Sequence, residues 1–262
     1  MPTLNLLALD VGNTRTTIGR FDGRELTRTE SFANDDLSAI VSAAVAFRDD
    51  TDDAADALRA VIVSTVHDAH ADRISSAMTD QTGLDLYRVG RDLPVPVVCA
   101  LDPETITGSD RLLNALAAFD LLGQACMVVD AGTAVTIDFV DGEGTFHGGA
   151  ILPGAAMQLR ALHEFTDALP ELSFTAPADD VFGRNTAEAM LRGVFHGIRG
   201  AVQRLTERSA EAYGAYPLVV ATGGDAQTLF EADELIDRIV PELTLRGIAL
   251  AAERALASAS DQ

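Results

Sequence analysis

Asp10-Val11-Gly12-Asn13-Thr14-Arg15-Thr16 and Asp130-Ala131-Gly132-Thr133-Ala134-Val135-Thr136 share one heptad pattern, D-x-G-x-x-x-T, at an offset of 120 residues. Each copy follows an apolar run of strand type, Leu4–Val11 in the first and Cys126–Asp130 in the second. Each also opens a second strand of a predicted meander. One heptad alone is weak evidence. Two with the same strand context before and after predict a duplicated, strand-rich unit, each copy followed by helices. The fold class expected is α/β, with two pseudo-symmetric lobes, each a mixed sheet with flanking helices.

Working outward, Thr16–Phe21 and Glu25–Phe32 alternate as strands around the hairpin signal Asp22-Gly23. Asp35–Phe47 has helical spacing, Ala60–Val66 reads as a buried strand, and Ala71–Gln81 as a helix. Residues 84–101 hold short strands broken by Pro94 and Pro96. A helix over Asp110–Leu122 introduces the second copy, whose strands are Cys126–Asp130, Ala134–Val140 and Thr145–Leu152. Helices follow at Ala155–Phe165 and Thr186–Tyr213, then a strand at Leu218–Thr222. Two last helices are predicted near Ala226–Asp237 and at Leu243–Ala257. The expected division is a lobe over 1–107 and a lobe over 108–262.

Charge narrows the chemistry. The 262 residues carry 40 acids against 19 bases, a net charge of −21. That balance opposes binding to a nucleic-acid backbone and to an anionic membrane surface. All 19 bases are Arg. Without Lys there is no P-loop Lys, no protein-kinase strand Lys and no Schiff base. No apolar stretch approaches the ~18 residues of a membrane span, and the opening MPTLNLLALDVGN reads as a strand rather than a signal peptide. A cytoplasmic protein is expected. Cys99 and Cys126 lie in apolar runs without a Cys-x-x-Cys partner, which predicts buried, reduced thiols.

In each Asp-Gly turn a carboxylate ends a strand and a glycine lets backbone N–H groups come close to a ligand. Asn13, Thr14, Thr133 and Thr136 add neutral donors. Such turns bind phosphate without Lys. The carboxylate would repel a bare phosphate, so Mg²⁺ carried with a nucleotide fits at Asp10. Gly108-Ser109-Asp110-Arg111 opens a helix. Ser109 or Asp110 serves there as an N-cap, or Asp110 acts as a general base with Arg111 clamping an anionic substrate. Thr222-Gly223-Gly224-Asp225 has the form of a strand-to-helix turn that contacts nucleotide, and Gly148–Gly154 is a backbone-exposing stretch before a helix.

Together these stretches resemble the type III pantothenate kinases, of the acetate/sugar kinase–Hsp70–actin superfamily. Asp10-Val11-Gly12-Asn13-Thr14 is similar to the family's first phosphate motif, Gly108–Arg111 to its G-x-D-R motif and Asp130–Ala134 to its D-x-G-T-A motif. Gly149–Gly154, Thr166–Pro170, Gly183–Met190, Thr222–Asp225 and Leu243–Gly247 follow in the family's order. The resemblance implies two RNase H-like lobes in the actin-like ATPase fold. It implies ATP-dependent phosphorylation of pantothenate to 4′-phosphopantothenate, the first step of coenzyme A biosynthesis.

Carried over residue by residue, Asp10, Val11, Gly12, Asn13, Thr14, Arg15, Thr16, Thr17 and Thr133 would contact ATP, with Mg²⁺ in the region of Asp10. Asp110 would accept the proton. Gly108, Ser109, Asp110, Arg111 and Thr186 would hold pantothenate, and Asp130 would ligate K⁺ or NH₄⁺. A homodimer is implied. The family's Tyr before G-x-D-R is replaced here by Leu101 or Ala100, and Pro103 lies one residue further from Gly108. The alternatives are a kinase of another small hydroxylated acid, or a non-catalytic regulatory homologue.

The remaining candidates read as structural. His67 and His70 belong to an exposed strand-end loop rather than a metal site, and His163 and His196 fall in helical patterns. His147 precedes Gly148-Gly149 and could face the ligand. Met190, Val194, Phe195, Ile198 and Val202 form an apolar stripe of core type, with Gly193, Gly197 and Ala201 as a small-residue line. The acid excess suits a salt-rich cytosol. The Debye length shrinks from ~30 Å at 0.01 M to ~3 Å at 1 M salt, so self-repulsion fades across that range. The melting temperature is expected to rise with NaCl and with choline chloride alike. A curve flat or falling in both salts would show the acids already compensated locally.

Overall fold

The computed structural model describes residues 4–49 and 58–260. The acidic run beyond Asp49 lies outside them. Strand β1 (Leu4–Val11) is buried along nearly its whole length, as its unbroken apolar run requires. Strands β2 (Arg15–Asp22) and β3 (Glu25–Ala33) extend antiparallel from one edge of it. Strands β4 (Leu58–Thr65) and β5 (Leu86–Arg88) add in parallel on the other, giving the order β3-β2-β1-β4-β5. Helices α1 (Leu37–Asp49) and α2 (Asp68–Thr82) bring Ile40, Val41, Phe47, Ile74 and Met78 against Leu7, Leu9 and Val11.

Helix α3 (Ser109–Leu122) precedes β6 (Cys126–Ala131), β7 (Ala134–Val140) and β8 (Phe146–Pro153). After α4 (Ala155–Glu164) and α5 (Thr186–Tyr213) come β9 (Leu218–Thr222), α6 (Ala226–Phe230), β10 (Arg238–Ile239) and α7 (Leu243–Ser260). The second sheet runs β10-β9-β6-β7-β8. Read from β8, it repeats the first sheet strand for strand, with two antiparallel neighbours on one side of the central strand and two parallel ones on the other. The expected α/β duplication is therefore present in topology as well as in sequence. The core of this half joins Val129, Ala131 and Ile137 to Leu159, Val194, Phe195 and Ile198 of the covering helices, so the stripe on α5 is core.

The chain divides into two compact units that a single cut at 107/108 does not describe. One comprises the residues up to Val97, Glu104–Ala117 and everything from Leu243 onward; the other comprises Val98–Pro103 and Ala118–Glu242. The Gly108–Arg111 segment and α7 thus belong with the first sheet. Helix α7 packs on β1 and also against the start of α3. A Cβ on Gly247 would stand 2.3 Å from the Leu113 carbonyl oxygen, so only glycine permits this approach. Beside it the Thr244 hydroxyl donates to Asn114 Oδ1 at 2.9 Å in a buried pair.

Three local expectations are corrected. The helix expected near Ala226–Asp237 stops at Phe230, because the chain must return to the sheet. Val219 donates to Asp237 Oδ2 at 2.7 Å, Asp237 N–H donates to the Val219 carbonyl at 2.9 Å, and β10 follows. Cys99 is exposed, while Cys126 is buried and both are free; burial pushes the Cys126 thiol up to about 12. His70 is buried, 6% exposed, whereas His67 stays exposed as the N-cap of α2, its Nδ1 accepting from His70 N–H at 3.3 Å. No described helix is long and apolar enough to cross a membrane.

Burial lowers the pKa of His70, helped by the charges of Arg73 and His67, and its Nε2 has no hydrogen-bond partner among the described residues. A histidine whose folded pKa is depressed stabilises the fold fully above its unfolded value, here 6.5, and loses that contribution as pH falls below it. The melting temperature should therefore drop between about pH 7 and pH 5, and the drop should shrink in His70→Leu. An identical pH slope in the two proteins would show that His70 is not the titrating group.

Candidate active site

Both Asp turns are built the same way from strand pairing. Asp10 ends β1 opposite Thr17 on β2 and beside Ser64 on β4. Asp130 ends β6 opposite Thr136 on β7 and beside Thr222 on β9. Each carboxylate is flanked on both neighbouring strands by a hydroxyl residue. The heptad match is shifted by one in space, because Thr136 corresponds to Thr17 rather than to Thr16. The cause is turn length. Gly12, Asn13 and Thr14 separate β1 from β2, but only Gly132 and Thr133 separate β6 from β7.

The glycines do less than expected as ligand donors. Gly12 N–H is engaged by the Arg15 carbonyl and Gly132 N–H by the Ala134 carbonyl, each at 3.0 Å, closing the turns. What they leave is room. A Cβ on Gly132 would meet nothing closer than 3.9 Å. Asn13, Thr14 and Thr133 lie exposed at the turn tips, Val11 and Thr16 are buried, and Thr17 is half-buried. The Arg15 guanidinium is tied down on β3, with Nε donating to Ser31 Oγ at 2.9 Å and Nη2 to the Ser31 carbonyl at 2.8 Å.

In the same unit as Asp10, Gly108-Ser109-Asp110-Arg111 opens α3. The Asp110 carboxylate folds back over its own helix start: Oδ1 accepts from Arg111 N–H at 2.9 Å and occupies the space where a Gly108 side chain would begin. Ser109 Oγ lies 3.0 Å from Ser64 Oγ. Ser64 is the strand neighbour of Asp10, so one hydroxyl contact ties the strand beside the first turn to the helix that carries Asp110. Sequence reasoning missed Ser64. Its only signal was a polar residue closing the apolar run of β4.

In the other unit, Asp130 borders a cradle shaped by glycine. Gly223 has φ 92°, and a Cβ there would lie 2.5 Å from Asp130 Oδ1 and 2.4 Å from the Ala131 carbonyl oxygen. Only glycine leaves that oxygen-lined space open. Carboxylate, carbonyl and hydroxyl oxygens are the donor set of a hard cation, so the residues fit K⁺ or NH₄⁺. The oxygen set around Asp10 likewise suits Mg²⁺ arriving with phosphate. Among the described residues no cluster of three or more His, Cys, Asp or Glu could hold a metal by itself. Asp225 N–H donates to the Ala131 carbonyl at 2.9 Å, and burial raises the Asp225 carboxyl above its ordinary value.

Thr186 is the exposed first residue of α5, whose N-cap Asn185 accepts from Glu188 N–H at 2.9 Å. His147 is held by Asp141, Nε2 to Oδ2 at 2.7 Å, and braces the β7–β8 hairpin. Leu101, one of the two residues that could stand at the altered Tyr position with Ala100, rests against Gly148, where an added Cβ would lie 3.0 Å from Leu101 Cδ2.

Comparison with known proteins bears on the fold and the family of the chain. Among solved structures, a Campylobacter jejuni protein described as a Baf family transcriptional activator superposes with a TM-score of 0.62 at 21% identity, covering 96% of this chain and 99% of that one. The activator of 2-hydroxyisocaproyl-CoA dehydratase from Clostridium difficile, with bound ADPNP, has a TM-score of 0.51 at 14% identity, covering 98% of each chain. At those identities the likeness is one of fold, the actin-like ATPase fold. Sequence relatives go further. The type III pantothenate kinase of Syntrophotalea carbinolica is 32% identical over 93% of this chain and 96% of its own length. That of Frankia alni is 34% identical over 95% of this chain and 99% of its own. The profile of that family matches residues 6–208. With the profile spanning most of the chain and relatives aligned almost end to end, the chain belongs to the type III pantothenate kinase family.

Proposed function

We propose that the chain transfers the γ-phosphoryl group of ATP to the primary hydroxyl of pantothenate, giving 4′-phosphopantothenate and ADP. Full-length similarity to type III pantothenate kinases supports the substrate pair. The Ser64–Ser109 contact supports the chemistry, because it fixes the strand beside the first turn to the helix of Asp110. In phosphoryl transfer the protein contributes positioning and charge stabilisation more than covalent chemistry.

The exposed tip of the Asp10–Thr17 segment, Asn13 and Thr14, holds the phosphate tail while buried Val11 and Thr16 shape the turn, and the family resemblance assigns Thr133 to ATP as well. Mg²⁺, held near Asp10, neutralises phosphate charge when bound. Arg111 takes the pantothenate carboxylate in a bidentate pair, with Gly108 and Ser109 beside it at the start of α3, and the family resemblance assigns Thr186 to the same substrate. Arg15 remains on Ser31 and stiffens the first turn. The substrate hydroxyl oxygen forms the new bond to phosphorus as the bond to the β,γ-bridging oxygen breaks. The hydroxyl proton passes to Asp110. Asp130 would hold K⁺ or NH₄⁺, which would add positive charge beside the phosphates in a chain that has no Lys to place there.

A cytoplasmic homodimer completes the reading. Exposed Phe165, and exposed Val181 and Phe182 just ahead of Thr186, are the apolar side chains that support association. The loss of the Tyr, replaced by Leu101 or Ala100, favours one alternative, a kinase acting on another small hydroxy acid, which a panel of hydroxy acids compared at equal concentration resolves.

With MgATP, K⁺ and pantothenate, the purified protein should release ADP and phosphopantothenate. Asp110→Asn should keep the fold and nucleotide binding while turnover falls about 10²-fold or more. Near-wild-type turnover in the folded variant would remove Asp110 as the base. Replacing K⁺ by Na⁺ at fixed ionic strength should lower the rate, and Asp130→Asn should abolish the difference between the two ions. Equal rates in K⁺, Na⁺ and Li⁺ would remove the monovalent site.

A further inference from the structure

The first residue beyond the third strand of each sheet touches the Asp turn of that sheet. Asn34 follows β3 and Gly154 follows β8, at matching places in the register. Asn34 N–H donates to the Thr14 carbonyl at 3.1 Å, and Gly154 N–H donates to the Thr133 carbonyl at 3.0 Å. Past this shared bond the two copies differ. The Asn34 side chain reaches across the longer first turn: Nδ2 donates to the Gly12 carbonyl at 2.9 Å, and Oδ1 accepts from the buried Thr16 hydroxyl at 2.9 Å. At Gly154 a Cβ would fall 2.0 Å from the Gly132 carbonyl oxygen, so no side chain fits.

The chemistry fixes the orientation of Asn34. A backbone carbonyl can only accept, so the amide nitrogen must face Gly12 and the amide oxygen must face Thr16. Three hydrogen bonds from this one residue reach the turn at Gly12, at Thr14 and at Thr16. These bonds span Asn13 and Thr14, the exposed residues at the tip. The second turn is a residue shorter and is held by close backbone packing instead. Only the first turn needs a side chain to hold its shape.

We propose that Asn34 is the positioning residue of the first phosphate turn, keeping Gly12-Asn13-Thr14 in the shape that receives the nucleotide phosphates. The proposal rests on the assignment of that turn to ATP. Asn34 acts through the turn and not on the substrates, so its loss weakens ATP binding and spares pantothenate.

The test measures MgATP affinity by titration calorimetry, KM for each substrate and the melting temperature. Asn34→Ala should raise Kd and KM for MgATP about tenfold, the scale of one well-formed hydrogen bond, with pantothenate KM within about twofold of wild type. Thr16→Val, which removes only the hydroxyl that engages Oδ1, should give a smaller change of the same sign. Unchanged MgATP affinity in folded Asn34→Ala overturns the proposal and leaves the ATP assignment standing. Equal weakening of both substrates with a lowered melting temperature also overturns it, reducing Asn34 to a fold residue. Should Asn34→Ala fail to fold, Thr16→Val decides on the same criteria. A wild-type protein that does not bind MgATP removes the assignment and the proposal together.

Discussion

Side chains alternate along a strand with period two, so a register slip of one residue would turn every side chain to the other face of its sheet. Here the register of β1 and β6 sets one carboxylate between two hydroxyl residues in each sheet. Central position protects that register. β1 and β6 each pair on both edges and are buried almost throughout, so neither can slide without exposing apolar side chains. Asp10 and Asp130 are the half-buried exceptions in these strands, at the ends where pairing gives way to a turn. A polar residue in that place costs the core little and gains fixed neighbours.

Around this shared frame the two copies have diverged. Ser64 contacts Ser109, joining the strand beside the first turn to α3, whereas Thr222 donates to the Pro241 carbonyl at 3.3 Å, each contact staying within its own unit. One turn is spanned by an amide side chain, and the other is pressed against glycine backbone. The second solution resists substitution, because carbonyl oxygens stand where a Cβ would go. The first keeps a longer loop whose shape rests on a few hydrogen bonds.

Much of this was legible in the sequence, and the rest was hidden for identifiable reasons. The central strands and long helices carry strong periodicity, and the heptads mark both turns. The one-residue offset between the copies was invisible, since a letter match cannot see that one turn is shorter. Helix propensity over residues 226–237 was overridden by pairing of Asp237 with Val219, a contact between residues 18 apart. The partners of Asn34 lie 18 and 22 residues away, and those of Ser64 lie 45 away, distances at which local pattern carries no signal. His70 was misread because its burial depends on packing that its polar neighbours, Asp68 and Asp72, do not announce.

Helix α7 belongs to the unit that holds β1, although the two lie more than 230 residues apart in sequence. That separation has a consequence for synthesis on the ribosome. β1 emerges first, yet the helix that packs on it and seats the start of α3 arrives only after the whole intervening unit. At about 5–20 residues per second, the stretch from Ala117 to Leu243 takes on the order of 10 s to translate. Over that interval β1 has its neighbouring strands and the cover of α1 and α2 but lacks the packing of α7, while the later unit has nearly all of its sequence in one contiguous piece. The unit begun second is thus the first able to close, and a message truncated before Leu243 yields a chain with only that unit complete. The strong negative charge makes neighbouring chains repel one another, which disfavours association through the apolar surface left open during the delay.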